Sequence, residues 1–155
     1  MQILSSSSGM NATTLRRFIY NTLIDDAKVP SSGDIAEHFG VDRSDALRAL
    51  REMKIGKTIL LDPRTGELWM MGPFSAGETQ YSVRAGTRRW SANCAWDMLG
   101  VAHLAGAPVD IETQCTDCGA PIALHLEPDA ESVGTDLLVH FLLPARRWYN
   151  DIGFT

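Results

Sequence analysis

The chain has 155 residues, 45% of them hydrophobic and 21% charged, a balance that fits a globular protein and excludes a wholly disordered chain. The formal net charge is −5 and unevenly spread: residues 1–60 carry eight Lys/Arg against seven Asp/Glu, and residues 61–155 carry six against twelve. The second half therefore argues against a nucleic-acid binder, which normally shows a basic face, and the first half is close to neutral.

Residues 1–10 include four consecutive serines, Ser5 to Ser8, without the basic start and apolar core of a signal peptide, and read as a disordered leader. No apolar run reaches the roughly 20 residues that cross a bilayer. Three cysteines make a poor disulfide framework, so a cytoplasmic chain with no membrane partner is expected. A first helix is predicted over residues 11–28, with Asn11, Thr13 and Thr14 offering capping oxygens and Leu15, Phe18, Ile19, Thr22 and Leu23 on one stripe. Residues 34–39 form a short second helix that stops at Gly40, and residues 43–53 a third, capped by Asp42. Strands over 58–61 and 67–71 flank a turn at Asp62-Pro63-Arg64-Thr65-Gly66. Three helices and a β-ribbon predict a winged-helix-like domain over residues 11–72. A linker at 72–77 then leads to a sheet-rich α+β domain over residues 73–155. That domain is expected to hold a short strand at 79–83, a buried apolar helix over 90–104 opening at Ser91, and strands at 109–113, 122–126 and 137–143.

The densest chemical signal is Ser91-Ala-Asn-Cys94-Ala-Trp-Asp97. With Ser91 as cap, Cys94 falls in the first helical turn, where unpaired amides favour a thiolate. Asp97, three residues on, projects from the same face. Apolar neighbours should raise its pKa and let it hold a proton. The alternative is a buried structural cysteine beside a capping aspartate. Cys115-Thr-Asp-Cys118 has the spacing of half a zinc site, but no second such pair exists and His38, His103, His125 and His140 are scattered. An incidental turn is the competing reading. In the third helix, Arg43, Arg48 and Arg51, followed by Lys54 and Lys57, offer phosphate contacts, yet Asp42, Asp45 and Glu52 interleave with them.

Three stretches together resemble the organomercurial (alkylmercury) lyase family: Gly66-Glu-Leu-Trp-Met-Met-Gly-Pro-Phe-Ser75, Arg89-Trp-Ser-Ala-Asn-Cys-Ala-Trp-Asp97 and Cys115-Thr-Asp-Cys-Gly-Ala-Pro121. The resemblance covers residues 10–155. It implies a winged-helix-like part that does not bind DNA, joined to a catalytic part that cleaves carbon–mercury bonds to a hydrocarbon and Hg(II). Mercury is then substrate and product ion, and no organic cofactor takes part. Cys94 matches the family's first mercury-binding cysteine, Asp97 its proton-handling aspartate, and Cys115 a cysteine regarded as structural. Cys118 has no counterpart and is a candidate mercury ligand only if its turn folds over Cys94. The family's second mercury-binding cysteine is expected after Arg146-Arg-Trp-Tyr149, and the sequence ends at Thr155 before reaching one. Mercurial binding through Cys94 with cleavage slowed or lost is the expectation that follows, as for a truncated form of an active enzyme or a degenerate relative. The implied partners are an organomercurial and a mercuric reductase that takes the product. A non-catalytic metal- or thiol-binding relative and a winged-helix metal-responsive regulator are the other functional classes.

Overall fold

Asn11 opens the first helix because its side-chain oxygen accepts the amides of Thr13 and Thr14, at 2.9 and 3.0 Å, while the Thr14 hydroxyl accepts the Asn11 amide. The computed structural model describes residues 9–53, 59–129 and 136–150; eight of the ten residues of the expected leader, and Lys54 and Lys57, lie outside them. Helix α1 (Ala12–Asp26) buries Leu15, Ile19 and Leu23, the inner part of the predicted stripe. Helix α2 (Ser32–Phe39) begins two residues before the predicted start, because Ser31 and Asp34 form a second capping box. Helix α3 (Arg43–Met53) runs over the predicted residues and turns Ala46, Leu50 and Met53 inward.

Strands β1 (Ile59–Leu61) and β2 (Leu68–Met71) flank the expected turn, which Asp62 closes by accepting the amides of Arg64 and Thr65. Glu67 ties this ribbon to the helices: its carboxylate accepts the amide and hydroxyl of Ser32 and a 2.7 Å bond from Arg43. Burial works against the charge on Glu67, but these donors outweigh it and hold the pKa below the ordinary value.

The ladder does not stop at the linker. After the Gly72–Pro73 peptide, which is cis, β3 (Phe74–Ser75) pairs with β2 on one side and β5 (Arg88–Ala92) on the other. With β4 (Ser82–Ala85), β6 (Val109–Gln114) and β7 (Pro121–Leu126), the strands form one antiparallel sheet in the order β1-β2-β3-β5-β4-β6-β7. Helix α4 (Ala95–Ala105) packs on β4, β5 and β6, burying Met98, Val101, Ala102 and Ala105. The Trp90 indole donates to the carbonyl of Leu23, and the Arg88 guanidinium lies over the Trp90 ring and donates to Ile24 at 3.0 Å. These contacts fasten the end of α1 to the sheet. Among the described residues, four α-helices and one seven-stranded sheet make the fold α+β.

Three expected elements differ. The helix read over 90–104 is two elements: residues 88–92 are a strand, and the helix begins at Ala95. Trp90 and Ala92 are apolar because they face the core from a strand that pairs on both edges, a tertiary constraint that a continuous apolar run does not reveal. The strand expected at 79–83 starts at Ser82. Residues 137–143 form no strand; Leu138 is 94% exposed, and a 3-10 helix (Ala145–Asn150) follows.

Candidate active site

Cys94 is not inside the first turn of α4, as expected, but is its N-cap. Its backbone is extended (φ −153°, ψ 176°), and its Sγ accepts the Asp97 amide at 3.4 Å, taking the place of a capping hydroxyl. A Cys-x-x-Asp spacing at a helix start thus does two things. It puts the sulfur against the third amide of the helix, and it brings the side chain of that third residue back over the cap.

The consequence for the sulfur is opposite in sign to the thiolate expectation. Burial pushes the Cys94 thiol above its ordinary pKa; the amides of Asp97 and Trp96 pull it down, but the Asp97 carboxylate adds to the rise. Burial also raises Asp97, and the side chains of Asn93 and Cys94 only partly offset this by donating to its carboxylate. Thiol and half-buried carboxyl thus lie in hydrogen-bond contact, each pushed upward in pKa chiefly by burial.

Two contacts fix this pair to the neighbouring turn. Phe74 faces Ala92 in the ladder, so Pro73 and Asn93 leave it side by side, and Asn93 Nδ2 donates to the Pro73 carbonyl at 3.0 Å. The Tyr20 hydroxyl holds the adjacent Gly72 carbonyl at 2.7 Å. Across the gap Gly100 of α4 approaches so closely that a Cβ there would meet the Pro73 ring at 3.2 Å. Asn93 and Pro73 were missed as site residues in the sequence. Asn93 stands inside the quoted motif without an obvious role, and Pro73 reads as a linker.

Trp96, in the first turn of α4, is 57% exposed. The Phe141 ring stands edge-on to it at 6.4 Å and is itself 4.8 Å from Trp148, so an aromatic row runs from the Trp96 ring at the start of α4. A separate cleft of about 390 Å³ between α1 and α2, lined by Arg17, Phe18 and His38 among others, shares no residue with this site. Cys115 and Cys118 are not in it either; they occupy the β6–β7 turn. Among the described residues no group of three or more His, Cys, Asp or Glu is arranged to hold a metal ion, and no helix is long and apolar enough to span a membrane.

An α+β sheet carrying a soft sulfur and a raised carboxyl at one helix cap defines a thiol–acid site. The family model for alkylmercury lyase, MerB, matches residues 74–154, which include both groups. The chain belongs to the alkylmercury lyase family. Its fold is similar to a crystal structure of the mercury-bound form of MerB2, at 19% identity and a TM-score of 0.59 over 76% of this chain. It spans 56% of the length of that protein. No curated protein matches it.

Proposed function

We propose that this chain cleaves carbon–mercury bonds by protonolysis, with Cys94 binding the mercury and Asp97 carrying the proton. The observation that supports this best is the contact between thiol and carboxyl at the start of α4. Mercury is soft and selects sulfur over imidazole or carboxylate. In the first step the Cys94 sulfur displaces a small thiolate from an organomercurial: the sulfur–mercury bond forms, the small thiolate leaves, and the Cys94 proton passes to Asp97. In the second, the electron pair of the carbon–mercury bond takes that proton from Asp97. Hydrocarbon is released, Asp97 is again a carboxylate, and Hg(II) stays on Cys94. The raised pKa of Asp97 suits it to hold a proton between the steps.

Release of benzene from a phenylmercury compound, followed by gas chromatography, tests the scheme. Cys94→Ala is expected to abolish mercurial binding and benzene release. Asp97→Ala is expected to keep stoichiometric binding and lose turnover at least ~100-fold, the scale of general acid catalysis. Equal release by the wild type and Cys94→Ala refutes the assignment. Stoichiometric uptake by the wild type with no benzene makes the chain a mercurial-binding relative instead.

The winged-helix-like part, α1 to α3 with β1 and β2, belongs to this reading as a packing module without DNA contact. Arg43 and Arg48 of α3 are engaged by Glu67 and Asp45, each at 2.7 Å. A cytoplasmic setting and transfer of the product to a mercuric reductase complete the proposal.

A further inference from the structure

The sequence motif that this scheme leaves unused is Cys115-Thr-Asp-Cys118. The turn that carries it is closed at both levels: the Cys115 amide donates to the Ala120 carbonyl at 2.8 Å, and the Gly119 amide to the Cys115 carbonyl at 2.9 Å. Gly119 sits at φ 71°, a left-handed conformation that a side chain would strain, and this lets the turn double back. The amides of Asp117 and Cys118 then point at the Cys115 sulfur, and the Cys118 thiol donates to it as well. Cys115 is half-buried and Cys118 exposed, and neither is in a disulfide. Two sulfurs therefore meet on one tight turn, with backbone donors turned toward one of them and open access from solvent.

We infer that Cys115 and Cys118 form a chelating dithiol for a soft thiophilic cation. Zinc fits poorly, since it takes four ligands and the described residues bring no third or fourth to this turn. A cation satisfied by two thiolates, such as Hg(II), fits. Binding Hg(II) forms two sulfur–mercury bonds and releases two protons.

The register gives the site a second meaning. Ser91 of β5 and Glu112 of β6 both pair with Ser82 of β4, one from each side, so β5 and β6 run parallel, two strand spacings or about 10 Å apart. Cys94 lies three residues beyond Ser91 and Cys115 three beyond Glu112, so both leave the sheet at the same end. The dithiol is placed to take the ion that Cys94 holds. In that transfer two Cys–Hg bonds form and the Cys94–Hg bond breaks. One of the two released protons returns to Cys94 and the other leaves to solvent. This last role rests on the lyase reading; the binding site does not.

The test uses the full chain with Cys94→Ser, so that the proposed catalytic sulfur is gone. One equivalent of mercuric chloride is added under excess glutathione, and mercury retained after desalting is measured by mass spectrometry. About one Hg per chain is expected, with ultraviolet sulfur–mercury charge transfer. Adding Cys118→Ser, an exposed position whose fold is checked by a thermal melt, should cut retention at least ~10-fold, as expected when a chelate becomes a single contact. Equal retention in the double variant, or none in Cys94→Ser, overturns the inference. So does zinc that survives the same desalting. Benzene release by the wild type scores the lyase reading separately, so the failure of either is distinguishable.

Discussion

Replacing Asn93 with Ala removes two bonds of different electrical character, and pH separates them. The first, to the Pro73 carbonyl at 3.0 Å, is neutral; the second, to the Asp97 carboxyl, is charged when Asp97 is ionised. At a partly buried position the neutral bond is worth about 1 kcal/mol and the charged one about 1.5 kcal/mol. Above the titration range of Asp97 the variant should therefore lose about 2.5 kcal/mol, a Tm drop on the order of 5–10 °C for a chain of this size. The Asn93 bond favours the ionised carboxyl and lowers the folded-state pKa of Asp97 relative to the variant. Its contribution is present above that pKa and fades as pH falls through it. In acid the loss should shrink to about 1 kcal/mol, the worth of the Pro73 bond alone. Urea denaturation of both proteins across a pH series measures the difference, and carbon-13 NMR of the Asp97 carboxyl should place its titration higher in the variant. A pH-independent loss, or an unmoved titration, refutes the claim that Asn93 acts on Asp97.

Asp97→Asn should raise the thermal stability near neutral pH, because burial holds the folded pKa of Asp97 above its unfolded value. The wild type thus loses stability as pH rises through that folded pKa, and melts in acid should bring the two proteins together. Gly100→Ala gains about 1 kcal/mol of helix propensity but drives a methyl to 3.2 Å from the Pro73 ring, an overpacking cost of about 1–3 kcal/mol. A net loss of about 1 kcal/mol in a urea melt is expected, and a stabilised variant would show that the Pro73 turn yields freely. Trp90→Phe leaves the Leu23 carbonyl without its buried donor and should cost about 1–3 kcal/mol, read in the same way.

What the sequence disclosed follows from how local each signal is. Helices α1 to α3 were legible because caps and apolar spacing lie within one segment: Asn11 and Gly40 mark ends that need no distant partner. The β1–β2 ribbon was legible through the Asp62 turn. Residues 88–92 were not, since Trp90 and Ala92 reach the core only once β3 and β4 flank them, and nothing in the run Trp-Ser-Ala-Asn-Cys separates strand from helix. Residues 137–143 alternate like a strand, but neither edge of the described sheet takes them; Phe141 goes to Trp96 instead. The Cys94–Asp97 spacing was readable as a pair. Its electrostatics were not, because burial and the Asp97 carboxylate shift the Cys94 thiol upward despite the amides of Asp97 and Trp96.

That shift bears on the chemistry. A thiolate standing ready at Cys94 would bind mercury fast but would leave protonolysis to find its proton elsewhere. In the proposed scheme a thiol raised by burial carries one proton into the encounter, and Asp97, raised for the same reason, is the base in contact that would accept it. Cleaving one carbon–mercury bond consumes one proton, so the proton lost in binding is the proton needed for release. The N-cap geometry suits this balance: the amide that the sulfur accepts belongs to Asp97 itself, so the first turn of α4 carries both groups.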